Sequence, residues 1–106
     1  QVAEDLSTML AKLLADKDWR VRVHALVGAG WSTLDAKTTA AAAPAIKDER
    51  PIVRLLAVRL FAEQQGDKFS KVLDHLSKTD PAKYVRIMAS SYLPESTSAS
   101  AGELSP

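Results

Sequence analysis

The sequence contains no cysteine and has few glycines, aromatic residues and histidines. Its 106 residues include 4 Gly, 2 His and 6% aromatic residues. Without cysteine the chain has no disulfide framework, no thiolate nucleophile and no cysteine-ligated metal, and its cellular compartment is not indicated. So few glycines also argue against a glycine-rich loop that holds phosphate.

An excess of one charge is absent as well. Lys and Arg total 14 against 13 Asp and Glu, so the composition indicates no general attraction to nucleic acid or to an anionic membrane. No apolar run is long enough to span a membrane or to form a signal peptide. The length and the 46% hydrophobic residues are typical of one soluble globular domain with a modest core. Because the chain opens on Gln1 and enters a helical pattern at once, we expect a processed product or a piece of a larger protein.

Three segments of the sequence superimpose without gaps at a spacing of 32 residues. Each segment contains a Val-Arg pair, an Asp five residues before the Val and an Ala four residues after it. The columns are Asp16, Asp48 and Asp80; Val21, Val53 and Val85; Arg22, Arg54 and Arg86; and Ala25, Ala57 and Ala89. Agreement in four columns indicates tandem structural repeats, in which we number the Val of each pair as repeat position 0.

The residues that follow each Val have the period of an α-helix. Positions 0, 3, 4, 7 and 8 are apolar in the second copy, from Val53 to Phe61, and mostly apolar in the other two. We predict that this stripe faces the core, and that His24, at position 3 of the first copy, is buried and hydrogen-bonded. An apolar helix precedes each of these helices. Pro44 should interrupt the first helix of the middle copy. Gly66 should end the second helix of that copy, and Asp80 should cap the last helix of the chain.

We predict a repeat domain over residues 1–93, with copies at about 2–31, 32–65 and 67–93. The remaining residues 94–106, PESTSASAGELSP, include too few apolar side chains to fold. They are predicted to be a disordered C-terminal tail.

The Asp-(x)4-Val-Arg-(x)2-Ala pattern resembles the core of HEAT repeats. It is found in the segments LLADKDWRVRVHA, IKDERPIVRLLAV and KTDPAKYVRIMAS. The resemblance implies an all-α fold, an α-solenoid of three antiparallel helical hairpins, and the 32-residue period is similar to that of the short, phycobilisome-lyase-like subtype. It also implies a structural ladder of hydrogen bonds between repeats, formed by Asp16, Arg22, Asp48, Arg54, Asp80 and Arg86.

The same resemblance implies a non-catalytic protein–protein interaction or scaffolding module, which we expect to be the C-terminal part of a larger protein. The alternative is a nucleic-acid-binding or enzyme-associated HEAT-like domain, similar to DNA glycosylases or to bilin lyases. In that alternative a basic groove would bind phosphates through Arg20, Arg22, Arg50, Arg54, Arg59, Lys83 and Arg86. Acidic residues among these bases, such as Asp18 and Glu49, would cancel most of their field, so the sequence favours a protein partner over nucleic acid.

Position 2 of each second helix is aliphatic in all three copies, as Val23, Leu55 and Ile87. It lies about 200° around the helix from position 0, where a helix with one buried face should be polar. The row therefore predicts either packing between neighbouring repeats or a groove for a protein partner. Trp, Tyr and Arg dominate interface energies. The candidate partner-binding residues are Trp19, Val23, Val27, Trp31, Leu55, Arg59, Tyr84 and Ile87.

No catalytic, metal or cofactor site is predicted. His24 lies on the predicted core stripe, and His75, beside Asp74, is interpreted as a solvated helix residue. Neither belongs to a convergent set of metal ligands, and a catalytic triad is recognised by geometry rather than by sequence neighbours. We therefore expect a protein partner or the remainder of a larger chain. The sequence indicates neither an oligomeric state nor a localisation.

Overall fold

A computed structural model describes residues 5–94 of the chain. Within these residues the regular secondary structure is helical throughout, which confirms the predicted all-α class. The α-helices are α1 (Leu6–Leu14), α2 (Trp19–Ala29), α3 (Ala36–Ala42), α4 (Pro51–Gln65), α5 (Ser70–Thr79) and α6 (Lys83–Ser91), with 3₁₀ segments at Ala43–Lys47 and Gly66–Phe69. The predicted disordered tail lies outside the described residues, except for Pro94.

Aspartates begin the first three helices. Asp5, Asp18 and Asp35 have extended backbone, and each carboxylate accepts a hydrogen bond from an amide of the first turn that has no partner within the helix. The pairs are Asp5–Thr8 at 2.8 Å, Asp18–Arg20 at 3.0 Å and Asp35–Thr38 at 2.8 Å. The pKa of each carboxyl group is lowered. The main cause is this amide for Asp5 and Asp35, and the Arg20 side chain for Asp18.

Proline and glycine set two further boundaries as predicted. α3 ends at Ala42, and the chain continues as a 3₁₀ segment with Pro44 in its first turn. Gly66 ends α4 with a φ of +56°, a backbone conformation that side chains disfavour. The predicted cap at Asp80 is wrong. Its carboxylate lies three residues before the first residue of α6, so it accepts the amide of Ala82 ahead of the helix, at 2.9 Å.

The second helices of the three repeats pack in series, because α2 contacts α4 and α4 contacts α6. α1 packs on α2 and α3, α5 packs on α6, and α4 packs on the 3₁₀ segment that precedes it. α3 and α5 share few contacts. The junction between the second and third repeats therefore depends on α4 and α6.

Four of the five predicted stripe positions are buried in the middle copy, at Val53, Ala57, Leu60 and Phe61, but the buried face of the second helices extends beyond the stripe. Position 5 is buried in the first two copies, as Leu26 and Val58, whereas His24 at position 3 is exposed. The prediction that His24 is buried is therefore wrong. Positions 3 and 7 face the preceding repeat, and no described repeat precedes the first copy. Accordingly, Leu60 at position 7 of the middle copy is only 4% exposed, whereas Gly28 at the same position of the first copy is exposed.

One side chain fixes the connection between the first two repeats. Gln64, at the end of α4, accepts a hydrogen bond from the amide of Leu34 at 3.1 Å and donates one to the carbonyl of Ser32 at 2.9 Å. The Leu34 side chain is itself buried in the core. The connection is therefore held on both sides by the helix of the second repeat.

Candidate functional site

The aligned arginines and aspartates join one repeat to the next. Arg22 donates through Nε and Nη2 to the two carboxylate oxygens of Asp48, at 2.8 and 3.2 Å. Its Nη1 donates to the backbone carbonyls of Asp16 and Lys17, at 2.8 and 3.2 Å. The Arg22 and Asp48 side chains are only 9% and 12% exposed. Arg22 thus binds the loop of its own repeat and the aspartate of the following repeat.

The second junction has the same geometry. Arg54 donates through Nε and Nη2 to Asp80 at 2.9 and 3.0 Å, and through Nη1 to the carbonyls of Asp48 and Glu49. Two parallel bonds of this kind are the strong arrangement for a guanidinium and a carboxylate. Burial raises the pKa of Asp80, but the hydrogen bonds from Arg54 and from the Ala82 amide more than offset it and hold that pKa below its usual range.

The two ends of this ladder are incomplete within residues 5–94. Arg86 donates through Nη1 to the carbonyl of Asp80 at 2.7 Å, but its Nε and Nη2 have no acceptor among the described residues. Asp16 is exposed and accepts the amide of Asp18 at 2.8 Å, and no described arginine binds its carboxylate. The six predicted ladder residues therefore form two complete steps and two open ends.

A small apolar cleft lies between α2 and α4 and is named here the α2–α4 cleft. Its volume is about 90 Å³, and it is lined by Leu26, Val27, Gly30, Trp31, Leu56, Arg59, Leu60 and Glu63. The side chain of Trp31 is 87% exposed and that of Val27 is 43% exposed. An exposed indole and an exposed aliphatic group thus adjoin an apolar cavity, which makes a contiguous apolar patch.

Two charged residues on α4 border the cleft. Arg59 Nε lies 3.5 Å from the carboxylate of Glu63, one helical turn later, and both side chains are more than half exposed. The hydroxyl of Tyr92, just after α6, donates to the same carboxylate at 3.2 Å. Burial, and then the negative charge of Glu63, raise the pKa of Tyr92. The rim of the cleft therefore presents one cation and one anion to the solvent.

A family model for HEAT repeats matches residues 6–93. The chain belongs to the HEAT-repeat family. This confirms the resemblance drawn from the repeated Asp, Val, Arg and Ala columns. HEAT repeats generally mediate protein–protein interaction or scaffolding. No curated protein and no solved structure matches the chain. None of the helices in the described range is long and apolar enough to cross a membrane.

Along the HEAT repeats, the aliphatic row at position 2 changes in exposure. Val23 and Leu55 are half-buried and pack against the core, whereas Ile87 is 56% exposed. Exposure increases toward the C-terminus at position 5 as well, since Val58 is fully buried in the second copy and Ser90 is exposed in the third. This side of a second helix is therefore covered where another repeat follows and is open where none is described.

The eight candidate partner-binding residues do not form one surface. Val27, Trp31 and Arg59 line the α2–α4 cleft. Trp19 is half-buried, and the guanidinium carbon of Arg50 lies 5.0 Å from its ring centroid, a cation–π contact between the first and second HEAT repeats. Tyr84, on α6, is 50% exposed and does not line the cleft.

Sequence reasoning missed three cleft residues on α4, Leu56, Leu60 and Glu63. The predicted core stripe includes Leu56 because position 3 lies next to position 0 on a helical wheel. Positions 3, 6 and 10 fall within about 60° of one another on an α-helix. That spacing would have placed Leu56 and Glu63 on the same face as Arg59.

Several bases of the proposed nucleic-acid groove are already paired. Arg22 and Arg54 are held in the ladder, and Arg20 lies 3.0 Å from Asp18. Phosphate binding depends on unpaired cations, so this pairing weakens the field that such a groove would need. The geometry gives the nucleic-acid alternative no support.

The histidines and acidic residues do not converge on a metal. His24 and His75 are both exposed, and within the described residues no group of three His, Cys, Asp or Glu side chains could hold an ion. The α2–α4 cleft, at about 90 Å³, is smaller than the roughly 300 Å³ of typical small-molecule sites. Its size suits a side chain of a protein better than a bilin or another cofactor.

Proposed function

We propose that this HEAT-repeat chain is a non-catalytic protein-binding or scaffolding module that holds its partner at the α2–α4 cleft. The observation that carries the proposal is Trp31, 87% exposed beside an apolar cavity. Tryptophan and arginine are the residue types most often responsible for binding energy at protein interfaces, and Arg59 lines the same cleft. The general role of HEAT repeats supports this function.

The lining of the cleft indicates what it accepts. Leu26, Leu56 and Leu60 supply apolar walls. A volume of about 90 Å³ is about three water volumes, which suits one medium-sized apolar side chain of the partner. Arg59 and Glu63 flank that position and can bind polar groups of the partner next to its anchor. The favoured partner is therefore a protein segment with one apolar anchor flanked by charged or polar residues.

We propose for the architecture an α-solenoid of three antiparallel helical hairpins of the short, phycobilisome-lyase-like subtype. The 32-residue period supports the subtype. Serial packing of α2, α4 and α6, together with the packing of α1 on α2 and of α5 on α6, supports the solenoid.

We also propose that the chain is the C-terminal part of a larger protein. Leu6, Met9 and Leu13 lie on one face of α1 with exposed fractions of 44%, 44% and 41%. Their spacing places them in a single row. An apolar row of this kind is suited to contact with an upstream part of the same polypeptide.

The Trp31→Ser variant tests the binding proposal. Wild type and variant are used as bait in extracts of the source organism, and proteins depleted with the variant are identified, purified and titrated against both baits. We expect at least one such protein, with binding about 30-fold weaker to the variant, because loss of an interface tryptophan commonly removes about 2 kcal/mol or more.

Val72→Ser provides the matched control, since Val72 is an exposed apolar residue of α5 that does not line the cleft. It should bind the purified partner as the wild type does. The proposal is wrong if Trp31→Ser retains every partner, or if both variants lose them equally. Replacing Trp19, the other tryptophan, by Phe makes Trp31 the sole tryptophan fluorophore, and its emission should shift to the blue when the partner binds.

A further inference from the structure

The two junctions inside the chain show what a complete ladder step contains. At each step an arginine fork holds an aspartate 26 residues later in the sequence. The covered side of the second helix carries positions 2 and 5, which are Leu55 and Val58 in the middle repeat. The opposing side of the following helix carries positions 0, 3 and 7. These features are the template for any further junction.

The C-terminal end of the described chain carries one half of this template. Arg86 has the same bond to the Asp80 carbonyl that Arg54 makes to the Asp48 carbonyl. Its Nε and Nη2, the two atoms that bind aspartate in the other repeats, have no acceptor among residues 5–94. Beside it, Ile87 is 56% exposed at the position where Leu55 is covered.

The N-terminal end carries the other half. The Asp16 carboxylate has the local bond that all three ladder aspartates make, to the amide two residues on. In Asp48 and Asp80 the carboxylate is also held by an arginine of the preceding repeat, whereas Asp16 is exposed. His24 and Gly28, at positions 3 and 7, are exposed as well.

We propose that these two ends bind each other between copies of the chain, with the Arg86 fork of one copy on the Asp16 carboxylate of a second copy. The partner at the Arg86 end is a second copy of the chain, because its Asp16 occupies the repeat position that already pairs with an arginine twice within the molecule. A copy placed after the third repeat in this register brings Asp16 to the position of the next ladder aspartate. The contact is head to tail, so it builds open chains or rings rather than closing as a two-fold dimer.

This contact leaves the exposed row of α1 free for an upstream part of the polypeptide. The junction of the second and third repeats is built from α4, α6 and the Arg54–Asp80 pair, while α3 and α5 share few contacts. A junction of the same geometry between copies uses α6 of one copy and α2 of the next. It does not require Leu6, Met9 or Leu13.

The contact between copies is weaker than the junctions within the chain. Ser90 stands where Val58 is fully buried in the middle repeat, and Gly28 stands where Leu60 is buried. Less apolar area is therefore removed from water, and the ion pair makes a larger part of the attraction. Association should rise with concentration and weaken as salt is added.

Sedimentation velocity of the purified 106-residue chain tests the proposal over a series from about 1 μM to about 1 mM, the range of weak complexes. Arg86→Gln removes the cationic fork and keeps a polar side chain at this position. Asp16→Asn removes the charge but can still accept from the Asp18 amide. We expect the wild type to form species larger than dimers at high concentration, and each variant alone to associate at least tenfold more weakly.

An equimolar mixture of the two variants gives the sharpest result. It contains one intact pair of ends, the Arg86 of the Asp16→Asn chain and the Asp16 of the Arg86→Gln chain, so it should form dimers and no larger species. Lys71→Gln and Asp67→Asn remove exposed charges outside α6 and the ladder and should associate as the wild type does. Helical circular dichroism checks that each variant is folded.

Three results would overturn the proposal. The first is a wild type that is monomeric at every concentration. The second is association that both ladder variants retain, or that the two control variants lose equally. The third is a wild type that assembles while the mixed variants do not form dimers.

Discussion

Each complete ladder arginine binds acceptors of two kinds, backbone carbonyls of its own repeat and a carboxylate of the next repeat. The repeated columns identified these side chains because an Asp and an Arg recur at fixed positions. The same columns gave no information on burial, which depends on the neighbours of each repeat in space. Leu55 and Ile87 occupy equivalent positions, yet only Leu55 packs against the core.

Leu55→Asp and Ile87→Asp therefore differ in their expected effect on stability. The first places a carboxylate in the packing between repeats and should lower the free energy of unfolding by about 3 kcal/mol. The second replaces an exposed side chain and should change it by no more than about 0.5 kcal/mol. Urea denaturation followed by circular dichroism measures both. Equal losses would contradict the assignment of Leu55 to the junction.

The helices themselves could largely be predicted from periodicity, because the apolar residues recur with the spacing of a helix. The full extent of the buried surface on the second helices could not. α4 contacts the 3₁₀ segment before it as well as α2 and α6, so its apolar residues occupy more than one face. Leu26 and Val58 at position 5 were consequently missed as core residues, and His24 was wrongly placed in the core.

The end of α4 provides a prediction for a single element. Gly66 has a φ of +56°, so Gly66→Ala should destabilise the protein by about 1–2 kcal/mol through backbone strain, although nothing lies within 4 Å of the added Cβ. Gly28→Ala, inside α2, also meets no atom within 4 Å. It should stabilise the protein by about 0.5–1 kcal/mol. Thermal unfolding of both variants checks the opposite signs, and a loss of stability in both would contradict the interpretation.

At the scale of the whole molecule, the carboxylates share one electrostatic property. Helix starts hold Asp5, Asp18 and Asp35 in the ionised form, and the ladder holds Asp80 in that form.

The candidate cleft could be predicted only in part, because Trp31 and Arg59 belong to different repeats and only the packing of α2 on α4 brings them together.

The stability of the protein should depend on pH through these carboxyl groups. Their pKa values are lower in the folded than in the unfolded chain, so their contribution is complete above the unfolded pKa of about 3.9 and is lost as the pH falls through the folded values. The free energy of unfolding should be nearly constant between about pH 7 and pH 5 and fall below about pH 4. Urea denaturation at a series of pH values measures this, and Asp80→Asn should reduce the acid dependence. A fall confined to the range above about pH 5 would contradict it.

The two hydrogen bonds of Gln64 have a mechanical consequence. The connection at Ser32 and Leu34 lies between α2 of the first repeat and α3 of the second, where a chain of repeats could bend. Because one side chain of α4 holds both the carbonyl of Ser32 and the amide of Leu34, bending between these residues would break at least one of the two bonds. We therefore expect this connection to resist bending. The walls of the α2–α4 cleft, which belong one to each repeat, should accordingly keep their spacing.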